Sequence, residues 1–205
     1  MTWKIATLNP TVDRELEALP DDMKARFFWI SELIRSHGLE KVGEPYVKHL
    51  QGILWEMRLK GRDGISRALY VVAKPKRVVV VRVFIKKTQK APRKEIELGI
   101  EAGKGDRTMT DVRELHAKWM KNPSYRAEYE AMRPEFELAA AIIDTRSKAG
   151  LTQEELAKLM DAPQSLIARL ESGTQNTTLK TLERFARATG THLRIVFEPL
   201  PEACP

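Results

Sequence analysis

Glu56, Arg58 and Lys60 alternate along one stretch of the chain, and a carboxylate among fixed cations is equipment for handling a phosphodiester. In an extended backbone successive side chains point to opposite faces, so these three share one face and Trp55, Met57 and Leu59 the other. By the same period Arg82, Phe84 and Lys86 share a face, with Val81, Val83 and Ile85 turned toward a core. From Arg58 to Lys94 there are thirteen Lys and Arg against one acid, Asp63. A solvated basic face is the ordinary meaning of a charge run, but thirteen to one across successive strands points to a polyanion. Such a groove would suit RNA cleavage by the adjacent 2′-hydroxyl. That reaction needs a base, stabilisation of the phosphorane and a proton for the leaving 5′-oxygen. Glu56 is the candidate base by geometry alone, and equally a cross-strand partner for a nearby cation. Arg58 and Arg67 are the candidate phosphate clamps, and Lys86 and Lys87 would meet the developing charge. Arg82 and Phe84 would hold and stack RNA, while Lys60 and Lys90 hold its backbone.

The remaining polar residues of this half carry less. Tyr70 reads as a core or edge ring rather than an acid. His37 and His49 fall at a helix end and a sheet entry, without the paired spacing of a histidine ribonuclease. No His, Cys or carboxylate cluster has metal-ligand spacing, and no glycine loop suggests a nucleotide, so neither metal nor cofactor is expected.

The elements that must position these residues follow from periodicity. A short strand is expected at Trp3–Leu8, then helices over Val12–Leu19 and Asp22–His37, the second closed by Gly38. Phe27, Ile30, Leu33 and Ile34 recur at helical spacing and form its core face. Ile53–Lys60, Ile65–Ala73 and Arg77–Lys86 are rich in branched and aromatic residues, with Gly61–Gly64 and Lys74–Lys76 as turns. They predict an antiparallel sheet with helices on one face, and a last helix from Pro92 to about Glu101.

The other half has a different task. Thr152 before Gln153-Glu154-Glu155 forms a capping box, and Leu156, Leu159 and Met160 give the helix that follows an apolar face. Pro163 is expected at the first position of a second helix, packed by Ile167 and Leu170 and stopped by Gly173. Two short helices joined by a tight turn make a helix-turn-helix unit. Gly150-Leu-Thr-Gln-Glu-Glu-Leu-Ala, Ile167-Ala-Arg-Leu-Glu-Ser-Gly173, Thr181-Leu-Glu and Ala188-Thr-Gly190 closely resemble the phage-repressor-like (Xre/Cro) family. The resemblance implies base-edge contacts from Gln164, Ser165 and Arg169, where Gln suits adenine and Arg suits guanine. It further implies backbone contacts from Gln153, Ser172 and Thr174, and an ion pair between Arg146 and Glu171. Pro163 departs from the Ser or Thr usual there and removes one capping hydroxyl.

In the basic half, Leu54-Trp-Glu-Met-Arg-Leu-Lys60, Ser66-Arg-Ala-Leu-Tyr70 and Phe84-Ile-Lys-Lys-Thr-Gln-Lys-Ala-Pro92 resemble the HigB branch of the RelE-like toxins. The resemblance covers most of residues 1–103. It implies a ribosome-dependent endonuclease of messenger RNA, with catalytic positions matching Arg58, Arg67 and Lys86/Lys87. Where many such sequences carry His-Gly before the Phe-x-Lys-Lys run, this chain has Arg82-Val83. A toxin of this type followed by an Xre-type reader is the arrangement of a HigB–HigA toxin–antitoxin pair. The resemblance therefore implies an antitoxin that neutralises the nuclease and represses its own promoter at operator DNA.

Charge is divided unevenly between the halves. Met1–Gly105 holds 21 Lys and Arg against 13 acids, net +8, and Asp106–Pro205 holds 14 against 15, net −1. The reader is thus near neutral, and a homodimer on a palindrome would compensate. The tail Thr191–Glu198 alternates as an edge strand that could pair with its copy in a second chain. Between the halves, Val112–Lys121 and Ser124–Met132 read as two amphipathic helices. Trp119, Tyr125 and Tyr129 recur on them at helical spacing, either as a helical support for the DNA-binding half or, as the HigA resemblance implies, as a docking surface for the basic half, with Glu114, Glu128 and Glu130 available to its cations. The division expected is a toxin domain at 1–103, a linker at 104–111, a docking segment at 112–134 and a DNA-binding domain at 135–205. The class is α+β followed by all-α. No apolar run reaches the length of a membrane span and the lone Cys204 has no internal partner, so a cytoplasmic protein is expected. The alternative is a helix-turn-helix regulator whose basic domain binds RNA or an effector without cutting.

Overall fold

The computed structural model describes residues 2–85, 109–173 and 177–197. The expected helix after Pro92, most of the linker, and Lys86, Lys87, Lys90, Thr174 and Cys204 lie outside the described residues. The chain opens with β1 (Lys4–Thr7), α1 (Pro10–Glu17) and α2 (Asp21–His37). The Asn9 side chain caps α1 by accepting from the amides of Thr11 and Val12, and Gly38, at φ 92°, ends α2. Then come β2 (Val47–Gln51), β3 (Leu54–Gly61), β4 (Gly64–Ala73) and β5 (Arg77–Ile85). Among the described residues the C-terminal half supplies β6 (Thr110–Asp111), α3 (Val112–Trp119), α4 (Pro123–Lys148), α5 (Gln153–Leu159), α6 (Gln164–Glu171) and α7 (Leu179–Ala188).

The strands form one sheet in the order β2-β3-β4-β5-β1-β6. β2 through β5 are antiparallel neighbours, whereas β1 lies parallel to β5, with Ile5 opposite Val78. β6 pairs antiparallel with β1, so two residues of the C-terminal half cover what would be an open edge. The β4–β5 register shifts between Leu69 and Tyr70, where Val81 is the extra residue of a bulge. That shift breaks the expected alternation: Val80 and Val81 are both buried, and Ile85, expected in the core, is 49% exposed.

Two cores result. The larger joins α1, α2 and the sheet to Val112, Leu115, Trp119, Tyr125, Phe136 and Ile143 of the C-terminal half. The smaller lies inside the reader, among Ile142, Leu156, Ala157, Met160, Ile167, Leu170 and Phe185. Leu159, expected on that apolar face, is instead exposed.

Three expectations need correction. The helix expected to end at Met132 continues through Pro134 to Lys148, held by Phe136 and Ile143 on the larger core and Ile142 on the smaller. Pro134 gives up one backbone hydrogen bond, and burial on either side outweighs that loss. Pro163 is the cap of α6 rather than its first residue, with ψ 146°. Residues 191–197 form no strand; a strand needs a partner, and Ile195, Val196 and Phe197 stand exposed. Among the described residues no helix is long and apolar enough to cross a membrane.

Candidate nucleic-acid interfaces

On the sheet face, β3 and β4 place Arg58 directly opposite Arg67, and β5 places Phe84 opposite Arg67 on its other side. Glu56, 1% exposed, lies one pleat away and binds both guanidinium groups. Arg58 Nε donates to Glu56 Oε1 at 2.8 Å, and Arg67 Nη1 pairs with Oε2. The carboxylate thus sets the direction of two cations. Arg67 is buried, while the Arg58 side chain keeps 31% exposure toward solvent. This geometry can present fixed positive charge to a phosphate; Glu56 holds the arginines, as the cross-strand alternative supposed.

Arg82 is turned toward the sheet margin, where it pairs with Glu15 of α1. The other Glu15 oxygen accepts from the Val83 amide at 2.7 Å, so the acid also satisfies β5 backbone beyond the end of β1. Nothing local marks Glu15 as this partner, because the pair is 67 residues apart in sequence. Lys60 is exposed at the far end of β3, in a cleft with Arg62, Glu128 and Glu135. Tyr70 is fully buried with its ring 6.4 Å from Trp55, and burial pushes its hydroxyl pKa up, away from acid catalysis.

The three aromatic residues proposed for docking all lie in the join between the halves. Tyr129 stacks on Trp29 of α2 at 4.6 Å and 8°, and its carbonyl accepts from Trp29 Nε1 at 3.0 Å. Phe136 continues the stack on the other side of Trp29, at 5.5 Å. Lys24 sits 5.9 Å from the Trp119 ring, a cation–π contact. Tyr125, fully buried, hydrogen-bonds His116 Nδ1 at 2.8 Å. His116 in turn lies flat on Phe28, 3.6 Å away, and that desolvation lowers its pKa. Glu128 pairs with Arg62 as expected, whereas Glu130 pairs with Arg133 of its own helix and Glu114 is exposed. Glu135 was not foreseen: it takes Arg26 by both guanidinium nitrogens, at 2.6 and 3.3 Å. Its signal was hidden by Pro134, which made the helix seem finished.

In the reader, the Thr152–Glu155 capping box forms in full. The buried pair Arg146–Glu171 ties α4 to α6, and Arg146 Nη1 also donates to the Leu151 carbonyl at 2.9 Å. Gln164, Ser165 and Arg169 are exposed on α6, free to face a groove. Gln153 is half-buried, and Ser172 is buried, its carbonyl accepting from the Tyr46 hydroxyl at 2.8 Å.

Comparison with known proteins agrees with this geometry. Residues 14–104 match the family described as phage derived protein Gp49-like, and residues 142–196 match the helix-turn-helix family. The chain is 34% identical over 77 residues to Antitoxin HigA1 of Mycobacterium tuberculosis strain CDC 1551 / Oshkosh, covering 38% of this chain and 52% of that protein. Antitoxin HigA1 of strain H37Rv matches to the same extent. The chain thus spans about half the length of the curated relatives it matches. A Gp49-like, toxin-type domain precedes a helix-turn-helix domain similar to an antitoxin, and in this chain the two are one polypeptide with a shared core: the arrangement of a fused toxin–antitoxin pair.

Proposed function

We propose that the chain is a self-neutralised toxin–antitoxin protein of the cytoplasm. Its N-terminal half cleaves messenger RNA on the ribosome when released; its C-terminal half restrains it and represses the shared promoter at operator DNA. The observation that carries this reading is the join itself. α3 and α4 pack along α2, contribute to its core, and close the sheet edge through β6. They do so with aromatic and bidentate contacts of the kind that anchor stable interfaces.

In this reading Arg58 and Arg67 clamp the scissile phosphate, oriented by Glu56, and Lys86 and Lys87 meet the developing charge. Lys60, Lys90, Arg82 and Phe84 hold the surrounding RNA. The described contacts of the C-terminal half fall around α2, on the β1 edge, at Arg62 and on the loop of residues 41–46, rather than on Arg58. Restraint then acts by bulk, keeping the toxin half out of a ribosomal site, rather than by plugging the phosphate clamps. Tethering in one chain makes the restrained state the resting one. Gln164, Ser165 and Arg169 read bases, and two readers pair as a homodimer through residues 191–197, whose exposed backbone can add strand to strand.

A second reading is favoured by one feature: Arg82 stands where many HigB-like sequences carry histidine, and it is tied to Glu15. The N-terminal half would then bind RNA without cutting it, and the chain would be a transcription regulator. Induced expression of residues 1–103, with and without residues 109–205 supplied separately, separates the two. Growth arrest relieved by the second fragment, and abolished by Arg67→Ala or Lys86→Ala, is the expected outcome. Normal growth with folded residues 1–103 leaves the regulator.

A further inference from the structure

We propose that the N-terminal half covers the part of the reader that the sugar–phosphate backbone of duplex DNA would use, so that the two compete for Gln153. This rests on the DNA-reading role of α6 given above. When the first residues of a recognition helix enter a major groove, the helix before it crosses the flanking backbone. Here that helix is α5. Gln153, in its first turn, lies beside the groove-facing Gln164, with Gln164 Nε2 3.5 Å from Gln153 Oε1. A duplex engaged by Gln164 therefore brings its backbone to the Gln153 side chain.

That side chain already has partners. An amide offers two N–H donors. One meets Glu171 Oε2 at 2.7 Å within the reader; the other meets the Glu44 carbonyl of the N-terminal half at 3.0 Å. The approach is close enough that a Cβ on Gly43 would sit 3.3 Å from Gln153 Nε2. Two more contacts fasten the same loop. Arg146 Nη2 donates to the Lys41 carbonyl at 2.9 Å, and the Tyr46 hydroxyl donates to the Ser172 carbonyl at 2.8 Å. The charges of the loop do not decide the matter, since Lys41 and Lys48 balance Glu40 and Glu44. Its position does: residues 41–46 span the reader from the start of α5 to the end of α6. A phosphate reaching Gln153 must displace the Glu44 carbonyl, and DNA binding must loosen the join between the halves at this loop. By linkage, tightening that join weakens DNA binding by the same factor.

The test uses the full chain and a short duplex taken from the DNA upstream of its coding sequence, titrated at low salt by fluorescence anisotropy. Gly43→Val with Tyr46→Phe crowds one loop contact and deletes another, leaving Gln153, Gln164, Ser165 and Arg169 intact. Two modest hydrogen bonds correspond to about tenfold, so the double variant should bind about tenfold tighter than wild type. Equal affinity overturns the competition while leaving DNA reading standing. Folded proteins that both fail to bind overturn DNA reading, and the competition with it. A double variant that does not fold is replaced by amide hydrogen exchange of residues 38–47 in the wild type, with and without duplex. Faster exchange on adding DNA is expected; unchanged or slower exchange refutes displacement of the loop.

Discussion

Trp29→Ala should loosen both halves of the molecule in one step, by about 3 kcal/mol. The ring lies between Tyr129 and Phe136 of α4, stacked within 8° on each, and its N–H is bonded to the Tyr129 carbonyl at 3.0 Å. Truncating a fully buried Trp costs about 3–5 kcal/mol. Trp29 is only partly buried, which reduces that to about 2 kcal/mol of packing and stacking. The lost hydrogen bond adds about 1 kcal/mol. For a chain of this size 1 kcal/mol moves Tm by about 2–4 °C, so Trp29→Ala should melt about 6–12 °C lower. Trp29→Phe keeps a ring in the stack but loses the bond, and should fall by only about 2–4 °C. Because residues of α3 and α4 belong to the same core as α2, the far-UV circular dichroism melt should stay a single transition. A Trp29→Ala melt within about 1 °C of wild type would refute the reasoning. So would a melt in two steps with one step unmoved.

Acid should weaken the same join. Desolvation on Phe28 lowers the folded pKa of His116 despite the opposing pull of Glu32, so its stabilisation is complete above the unfolded value near 6.5. It is lost as pH falls from there through the lowered folded value. Urea midpoints should therefore drop between pH 8 and pH 5 in wild type and drop less in His116→Phe. Gly173→Ala should be severely destabilising, because φ is 64° and the new Cβ would sit 2.1 Å from the Glu135 carbonyl oxygen. A loss of about 3 kcal/mol or more in urea is expected, and a loss under about 1 kcal/mol would mean that α4 and the end of α6 do not meet there. Ile195→Ser with Phe197→Ser should convert the proposed homodimer to a monomer by sedimentation; an unchanged mass would place self-association elsewhere.

The elements whose physics is local were legible in the sequence. Alternation gave β3, β4 and β5; Gly38 and the Thr152–Glu155 box each mark a helix end by a hydrogen bond within a few residues, whereas the Asn9 cap, which starts α1 at Pro10 rather than near Val12, was not read. β2 was missed because Val47–Gln51 is short and mostly polar, and β6 because two residues carry no period. Pro134 read as a stop since the burial that carries α4 past it comes from two separate cores. In the candidate sites, the residues were nameable but their partners were not. Glu56 between Arg58 and Arg67 follows from strand register and was foreseen as one alternative. Glu15 on Arg82, Glu135 on Arg26 and Glu44 on Gln153 are set by how distant elements meet, and no spacing in the chain encodes them.

α4 has a consequence for how the protein sits on a chromosome. At 1.5 Å per residue its 26 residues make a rod about 39 Å long, rooted against the N-terminal half at one end and built into the reader at the other. A rod cannot swivel as a string does. Under the proposed reading, each bound reader would carry its N-terminal half at a fixed azimuth around the double helix, and a twofold operator would display two such halves at a set separation. Neighbouring operators spaced by whole turns would then bring these passengers into line, while half-turn spacings would set them on opposite sides.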